Sequence, residues 1–126
     1  MSNRCAFISG HGDVTYDEFK EHYIPQIEGV SEDGVEEFVV GDFKGADLMA
    51  QEYLHYLSEM IPTKVTIYHM FEKPRHNPHN FPTVGGFADD ESRDAAMTAA
   101  STVDIGWIRP GKKNSGTEKN LKRRKS

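Results

Sequence analysis

The sequence predicts an α/β protein with a Rossmann-like fold: a mostly parallel sheet of four to five strands with helices on both faces. Short apolar runs alternate with helix-like stretches in the order β-α-β-α-β-α-β-α, which is typical of parallel sheets with right-handed crossovers. The first strand-like run is continuously apolar, as in a strand buried on both faces. Glycine-bearing loops follow three of the runs, at residues 9–13, 41–47 and 111–117, and should gather at one edge of the sheet.

The first strand is predicted at residues 5–9 and is followed by the glycine-rich loop. Thr15 and Glu18 then have the spacing of a capping box, in which the Thr hydroxyl and the Glu carboxylate each accept a backbone amide hydrogen. This spacing predicts the start of a helix. Pro25 should kink that helix or end it early, because proline has no amide hydrogen to donate.

The second strand is predicted at residues 37–40, directly before the turn at 41–47. The helix that follows carries a broad apolar face, formed by Leu48, Met49, Tyr53, Leu54, Tyr56, Leu57 and Met60. Pro62 should stop this helix. Residues 64–70 form a third apolar run, which predicts the third strand.

Residues 72–88 break the alternation, with three prolines and two glycines among His and Asn. They predict a structureless loop, which at this length is often functional and would suit a lid over the strand ends. An alanine-rich helix is predicted at 89–100 because acids occupy its first turn. A fourth strand at 102–108, including Trp107, and a short basic helix at 118–125 complete the chain.

Length and charge bound the organisation of the chain. A chain of 126 residues suits one domain, which we expect at 1–117, followed by a basic helix or tail at 118–126. The net charge is −5, but residues 111–126 hold seven of the 15 Lys/Arg and one of the 20 Asp/Glu, which leaves eight basic and 19 acidic residues in 1–110. This asymmetry indicates an anion or nucleic-acid contact, or a solvated end that keeps the domain soluble.

The cysteine content and the apolar segments indicate a cytoplasmic protein. Cys5 is the single cysteine, so no internal disulfide is possible and a reduced compartment fits. Its place in an apolar run predicts a buried, inert thiol. The apolar run near the N-terminus is too short for a signal peptide or a membrane span, and no membrane contact is expected.

The last loop is the first candidate for phosphate binding. Ser115, Gly116 and Thr117 place hydroxyls and backbone amides at a predicted helix start, and such amides bind anions without needing a charged side chain. The alternative is a plain helix cap. His76 and His79 have no acidic or thiol partner at ligand spacing, so neither a metal nor a cofactor is predicted.

The earlier loops offer candidates for the rest of a ligand. Gly10 and Gly45 allow the backbone to approach a ligand, or serve turn geometry alone. Asp47 begins a helix, where a carboxylate suits ribose hydroxyls, or simply caps the helix. Asp42 is a weaker candidate of the same kind. Lys44 could face an anion, and the alternative is a strand-to-helix turn without a ligand.

The helix at 89–100 and the first loop hold further charged candidates. Arg93 suits a bidentate pair with a phosphate or a ligand carboxylate, and the alternative is an ion pair with Glu91 or Asp90. His11 and Asp13 have the chemistry of a general acid/base pair, although a loop histidine is more often polar surface.

Residues 41–47, Gly-Asp-Phe-Lys-Gly-Ala-Asp, resemble the strand–Gly-x-x-x-Gly-Ala-Asp–helix segment of YspA-like proteins in the SLOG superfamily. That superfamily includes DprA-like and Lonely Guy proteins and is related to nucleoside 2-deoxyribosyltransferases. Ser9-Gly10 is similar to their loop after the first strand, and residues 91–97 are similar to their Arg-bearing helix. Residues 110–117 are similar to their Pro-Gly-Gly-x-Gly-Thr phosphate loop, with a longer, more basic insert.

The resemblance implies a Rossmann-like protein that binds a nucleotide or nucleotide-derived ligand, and it implies homodimers. We therefore expect a sensor or processing module for a nucleoside phosphate or an ADP-ribose-like ligand. The ligand-binding residues expected from the loops and the resemblance are Ser9, Gly10, Gly41, Gly45, Asp47, Arg93, Gly111, Ser115, Gly116 and Thr117.

Two alternatives stay open. Some members cleave the N-glycosidic bond of nucleoside monophosphates, but the position of the Lonely Guy glutamate, three residues after Gly-Thr, holds Asn120 here. A small N-glycosidase or phosphoribohydrolase would have to use another carboxylate: Glu118, Glu91, Asp94 or Asp47. The second alternative, by analogy with DprA-like proteins, is single-stranded nucleic-acid binding through Lys122, Arg123, Arg124 and Lys125, with affinity that falls steeply with salt.

Overall fold

The chain has the predicted Rossmann-like α/β architecture, with five parallel strands in one sheet. The computed structural model describes residues 4–110 and 116–125. In chain order the elements are β1 (Cys5–Ile8), α1 (Tyr16–His22), α2 (Ile24–Glu32), β2 (Glu37–Gly41), α3 (Ala46–Ser58), β3 (Lys64–Met70), β4 (Thr83–Phe87), α4 (Asp90–Ala100), β5 (Val103–Ile105) and α5 (Gly116–Lys125).

Helices cover both faces of the sheet. Alternate residues of β1 point to opposite sides: Ala6 and Ile8 join a larger apolar cluster with side chains of α1, α2 and α3, whereas Cys5 and Phe7 join a smaller cluster with Met97 of α4. All four residues of β1 are buried, as the continuous apolar run predicted. Cys5 is buried as predicted, and burial raises the pKa of its thiol to about 11, which disfavours the reactive thiolate form.

The strand order β4-β3-β2-β1-β5 reverses beside β1. The chain first moves outward from β1 to β4, and α4 then crosses back to β5 on the other side of β1. In open α/β sheets ligands bind outside the carboxyl ends of the strands at such a reversal. The topology therefore points to the loops after β1 and its neighbours.

The predicted helix signals between β1 and β2 are confirmed. The Thr15 hydroxyl accepts from the Glu18 amide at 3.1 Å, and the Glu18 carboxylate accepts from the Thr15 amide at 2.9 Å. The helix breaks at Tyr23, between α1 and α2, and Pro25 lies in the first turn of the second piece. Proline is tolerated there because the first amides of a helix have no partner within it.

The prediction that residues 72–88 lack structure is wrong for residues 83–87, which form β4. Thr83 and Val84 pair with β3, and the register shifts before Phe87. The two glycines that suggested a loop have structural roles in this strand, Gly85 in packing and Gly86 in backbone conformation. A Cβ on Gly85 would lie 2.1 Å from Cε1 of buried His69, and Gly86 has a φ of +89° at the irregularity.

The last strand is shorter than predicted, because β5 ends at Ile105. The Ser9 amide donates to the Ile105 carbonyl at 2.9 Å, at the point where β1 also ends. Trp107 therefore lies in the following loop and not in a strand. Its half-buried ring stacks on His22, with ring centroids 4.0 Å apart.

Helix α5 packs against α4, so residues 118–125 are attached to the sheet and do not extend away from it. Arg124 makes this attachment through Asp104 of β5, with Nε and Nη2 3.0 and 2.9 Å from the carboxylate oxygens. Within 4–110 and 116–125, no helix is long and apolar enough to cross a membrane.

Candidate functional site

A cleft of about 400 Å³ lies at the carboxyl ends of β1 and β2, beside α4 and the first turns of α5. It is formed by loop 9–13 on one side, by Gly41 and residues 43, 44 and 47 on another, and by α4 and α5 on the third. Of the residues predicted to bind a ligand, Ser9, Gly10, Gly41, Asp47, Arg93 and Thr117 line it.

The remaining predicted ligand-binding residues fall elsewhere. Gly45 caps α3 behind the cleft wall, and Gly116 is the first residue of α5. Gly111 and Ser115 lie outside the described residues. The predicted phosphate loop is therefore described only from its last part, where Thr117 is 3% exposed and faces the cleft.

The fully buried carboxylate of Asp42 links the turn after β2 to the Pro-rich loop and to α4. Its Oδ1 accepts from Arg93 Nη1 at 2.9 Å and from Arg75 Nη2 at 2.8 Å, and its Oδ2 accepts from the Arg75 amide at 2.6 Å. Burial by itself raises the pKa of Asp42, but the hydrogen bonds and charge of Arg75, together with the charge of Arg93, outweigh it and lower that pKa. Asp42 is thus a buried anion paired with two cations.

The Arg93 guanidinium forms ion pairs with carboxylates of the chain itself. Besides Asp42 it contacts Asp90 at 3.2 Å and Asp94 at 3.0 Å. The alternative of an ion pair with Asp90 is therefore realised, while no contact to Glu91 is present in the described chain. An anionic ligand would have to compete with three carboxylates for this guanidinium.

Asp47 is a second buried carboxylate in the cleft, with a different environment. It is 6% exposed, and its Oδ2 accepts from the Phe43 amide at 3.2 Å. Gly41 makes this position possible, because a Cβ there would lie 2.5 Å from that oxygen. Burial raises the pKa of Asp47 to about 7, and the lowering effects of Arg93 and of the Phe43 amide only partly offset it.

Gly10 and Gly45 lie where neighbouring atoms leave no room for a side chain. A Cβ on Gly10 would lie 2.2 Å from the Tyr23 hydroxyl and 2.4 Å from Cβ of Ala46. Gly45 has a φ of +73°, and a Cβ there would lie 2.4 Å from the carbonyl oxygen of Gly12. Loop and chain packing thus explain both glycines without requiring a ligand.

Residues of α4 and α5 meet on the third side of the cleft. Asn120 donates to Asp94 Oδ2 at 3.1 Å, and its own Oδ1 accepts from Arg123 at 2.6 Å. Asp94 is the only one of the three predicted catalytic residues that lines the cleft among the described residues. Glu91 is exposed, and Glu118 lies 3.7 Å from Lys122 Nζ.

Loop 9–13 is anchored by Arg109, which follows β5. Its guanidinium contacts Asp13 at 2.8 Å and Glu18 at 2.7 Å, and its amide donates to His11 Nε2 at 3.2 Å. The Arg109 hydrogen bond lowers the pKa of Glu18 to about 2. His11 and Asp13 both line the cleft, so the predicted acid/base pair reaches the same space.

The basic residues of α5 are not all available to a polyanion. Arg124 is engaged by Asp104 and also donates to the Ser101 carbonyl at 2.6 Å. Lys122 is 71% exposed, and Arg123 is half-buried against Asn120. The Lys125 side chain lies outside the description.

Sequence reasoning missed Arg75, and it underrated Asp42. Arg75 lies in the Pro-rich loop, 33 residues from its partner Asp42, and no spacing in the sequence connects them. The ring of Phe43, 5.0 Å from the Arg75 guanidinium carbon, also lines the cleft. Within the described ranges, no three His, Cys, Asp or Glu side chains are grouped so as to hold a metal ion.

No protein-family model, curated protein or solved structure matches this chain. Any function for the cleft has therefore to be argued from its geometry and from the topology of the sheet. The resemblance to SLOG proteins stays a prediction.

Proposed function

We propose that the cleft binds a nucleotide-derived ligand, a nucleoside phosphate or an ADP-ribose-like molecule, and that the protein is a SLOG-type sensor or processing module. One observation supports this most strongly. Loop 9–13, the β2–α3 turn and the first turns of α5 converge on one cleft, at the carboxyl edge of the sheet where the strand order reverses.

The carboxylates of the cleft can bind the ribose of such a ligand. Asp13, Asp47, Asp90 and Asp94 line it, and carboxylate oxygens accept hydrogen bonds from hydroxyls. The same charges repel phosphate. A ligand with a ribose diol and few phosphates fits this balance better than a triphosphate.

The phosphate is best placed at the start of α5. The first amides of a helix carry partial positive charge and bind anions, and Thr117 in the first turn faces the cleft. Lys44, exposed at the opposite rim, supplies a cation. Arg93 holds Asp42, Asp90 and Asp94 in place and so acts indirectly.

A second candidate function, hydrolysis of an N-glycosidic bond, is favoured by Asp47. Because burial raises the pKa of Asp47 to about 7, this carboxyl can hold a proton and donate it to a leaving base. Asp94 lines the same cleft and supplies a carboxylate that can stabilise positive charge on the ribosyl carbon. These residues replace the missing glutamate at position 120.

Isothermal titration of the full chain with AMP, ADP-ribose, ribose 5-phosphate and adenine tests the binding proposal. We expect AMP or ADP-ribose to bind, and Thr117→Val to weaken binding at least about tenfold, which is about 1.4 kcal/mol. Lys64→Ala is the control. Lys64 is the first residue of β3 and so lies at the amino ends of the strands, opposite the cleft. Absence of binding by all four compounds, or equal loss in both variants, contradicts the proposal.

Chromatographic detection of free adenine released from AMP tests the second candidate separately. Hydrolysis predicts release that Asp47→Asn and Asp94→Asn each reduce by at least about 100-fold, in the range of a lost general acid. Binding of AMP without any release would leave the first proposal standing and exclude hydrolysis of this substrate.

A further inference from the structure

Helix α3 is apolar on two sides. Its inner side, Ala46, Ala50, Leu54 and Leu57, is buried against the sheet. A second set at spacings of four, three and four residues, Met49, Tyr53, Tyr56 and Met60, runs along its outer side; we call this set the outer stripe. A helix that is apolar on two sides is normally covered on both.

The outer stripe borders a groove. Tyr16, Phe19 and Ile24 of α1 and α2 form one wall, and Met49, Tyr53 and Tyr56 of α3 form the other, around a volume of about 560 Å³. Tyr16 is 60% exposed, Tyr56 55% and Met60 57%. Tyr16 and Tyr56 line the groove, and Met60 continues the outer stripe beyond it.

The outer stripe has the length of a short partner helix. Met49 and Met60 are 11 residues apart, and Met60 follows α3 in the turn that ends it, so the outer stripe is about 16 Å long at the rise of an α-helix. Anchors at i, i+4, i+7 and i+11 on a partner helix have the same spacing. The space between two helices accepts a third by packing ridges into grooves.

The charges around the groove favour a basic partner. Glu52 lines the groove, where its Oε1 lies 2.5 Å from His79 Nε2, and the Glu28 carboxylate lies 3.4 Å from the Tyr53 hydroxyl. The chain already places one cation here, with Lys20 Nζ 5.1 Å from the Tyr16 ring centroid, and tyrosine rings attract cations. Residues 1–110, with eight basic and 19 acidic residues, add a long-range attraction for basic partners.

We propose that this groove binds an amphipathic helix of a partner protein, with apolar anchors on one face and Lys or Arg beside them. Docking the same face of a second copy would bring the Glu28 and Glu52 carboxylates of both copies together, which is unfavourable. The proposal does not depend on the cleft, because the groove lies on the face of the sheet covered by α1, α2 and α3, whereas α4 and α5 line the cleft from the other.

Fluorescence anisotropy with two labelled peptides tests the proposal. Each is a helix of about 16 residues with Leu at i, i+4, i+7 and i+11, and the flanking positions are Lys in one and Glu in the other. At low salt we expect the Lys peptide to bind the full chain at least about tenfold more tightly than the Glu peptide, with a smaller difference at high salt.

Two variants locate the binding. Tyr56→Ala should weaken the Lys peptide at least about tenfold, whereas Phe71→Ala, at another exposed aromatic residue, should change it less than about twofold. Equal binding of the two peptides, no binding of either, or no effect of Tyr56→Ala overturns the proposal. A chain that sediments as a dimer and becomes monomeric in Tyr56→Ala also overturns it, because a second copy then covers the groove.

Discussion

Asp42 and Asp47 follow the same strand, are both buried, and should respond to pH in opposite directions. Asp42 is held as an anion by Arg75 and Arg93, whereas burial raises the pKa of Asp47 to about 7. Replacing each by asparagine removes its titration and keeps its shape. The pH dependence of the two variants therefore reports which charge state the fold prefers at each position.

For Asp47 the magnitude follows from the shift. An aspartate with an ordinary pKa of 3.8 and a folded pKa of about 7 loses about 1.4 kcal/mol of folding stability per pH unit between these values, or about 4 kcal/mol in all as an upper limit. Below pH 4 the carboxyl is protonated in both states, so the penalty is absent. Asp47→Asn avoids the penalty and should gain stability over the wild-type chain as pH rises from 4 to 7.

For Asp42 the sign is reversed. Its folded pKa lies below the ordinary value, so the carboxylate stabilises the fold above about pH 4, and this stability is lost as pH falls through the folded pKa. Asp42→Asn leaves Arg93 buried with one carboxylate fewer and should cost about 3 kcal/mol or more at neutral pH. The deficit should shrink on acidification.

Urea unfolding of the wild-type chain and both variants at pH 2 to 8 measures these effects through the midpoint and slope of each transition. We expect the stability of Asp47→Asn relative to the wild-type chain to rise between about pH 4 and 7. That of Asp42→Asn should fall as pH rises toward about 4 and stay level above it. Parallel curves for the two variants, or a loss for Asp47→Asn that grows toward pH 8, would refute the assignment of charge states.

Three further substitutions test the packing. Gly10→Ala places a Cβ against Tyr23 and should destabilise the fold by about 1–3 kcal/mol in urea; an unchanged midpoint would contradict the close contact. Thr15→Ala removes the α1 cap and should cost about 1 kcal/mol in the same assay, and no loss would show that the cap is dispensable. Arg124→Ala leaves Asp104 unpaired and should speed amide exchange in α5, and equal exchange would show that α5 is held by other contacts.

The elements that could be predicted are those whose structure is determined by residues close to one another in the sequence. The continuous apolar run at 5–8, the capping box at Thr15 and the break near Pro25 each depend on neighbouring residues. Strand β4 was missed because Gly85 and Gly86 argue against a strand locally, and the reason for Gly85, the ring of His69, comes from the adjacent strand.

The site was partly predictable for the same reason. Loops at the carboxyl ends of parallel strands meet by topology, so Ser9, Gly41 and Asp47 could be grouped in advance. The pairing of Arg75 with Asp42 joins a loop to a strand end across 33 residues, and only the folded chain shows it. Arg93 was expected at a ligand, but its three carboxylate partners are visible only in the structure.

We propose that a nucleotide-derived ligand binds in the cleft at the carboxyl ends of β1 and β2. Amide chemical shifts of the isotopically labelled chain during titration with AMP and with ADP-ribose test this proposal residue by residue. We expect saturable changes at Gly10, Gly12, Gly41 and Thr117, which line the cleft, and little change along the outer stripe of α3. The absence of changes with both compounds, or changes confined to residues outside the cleft, would contradict it.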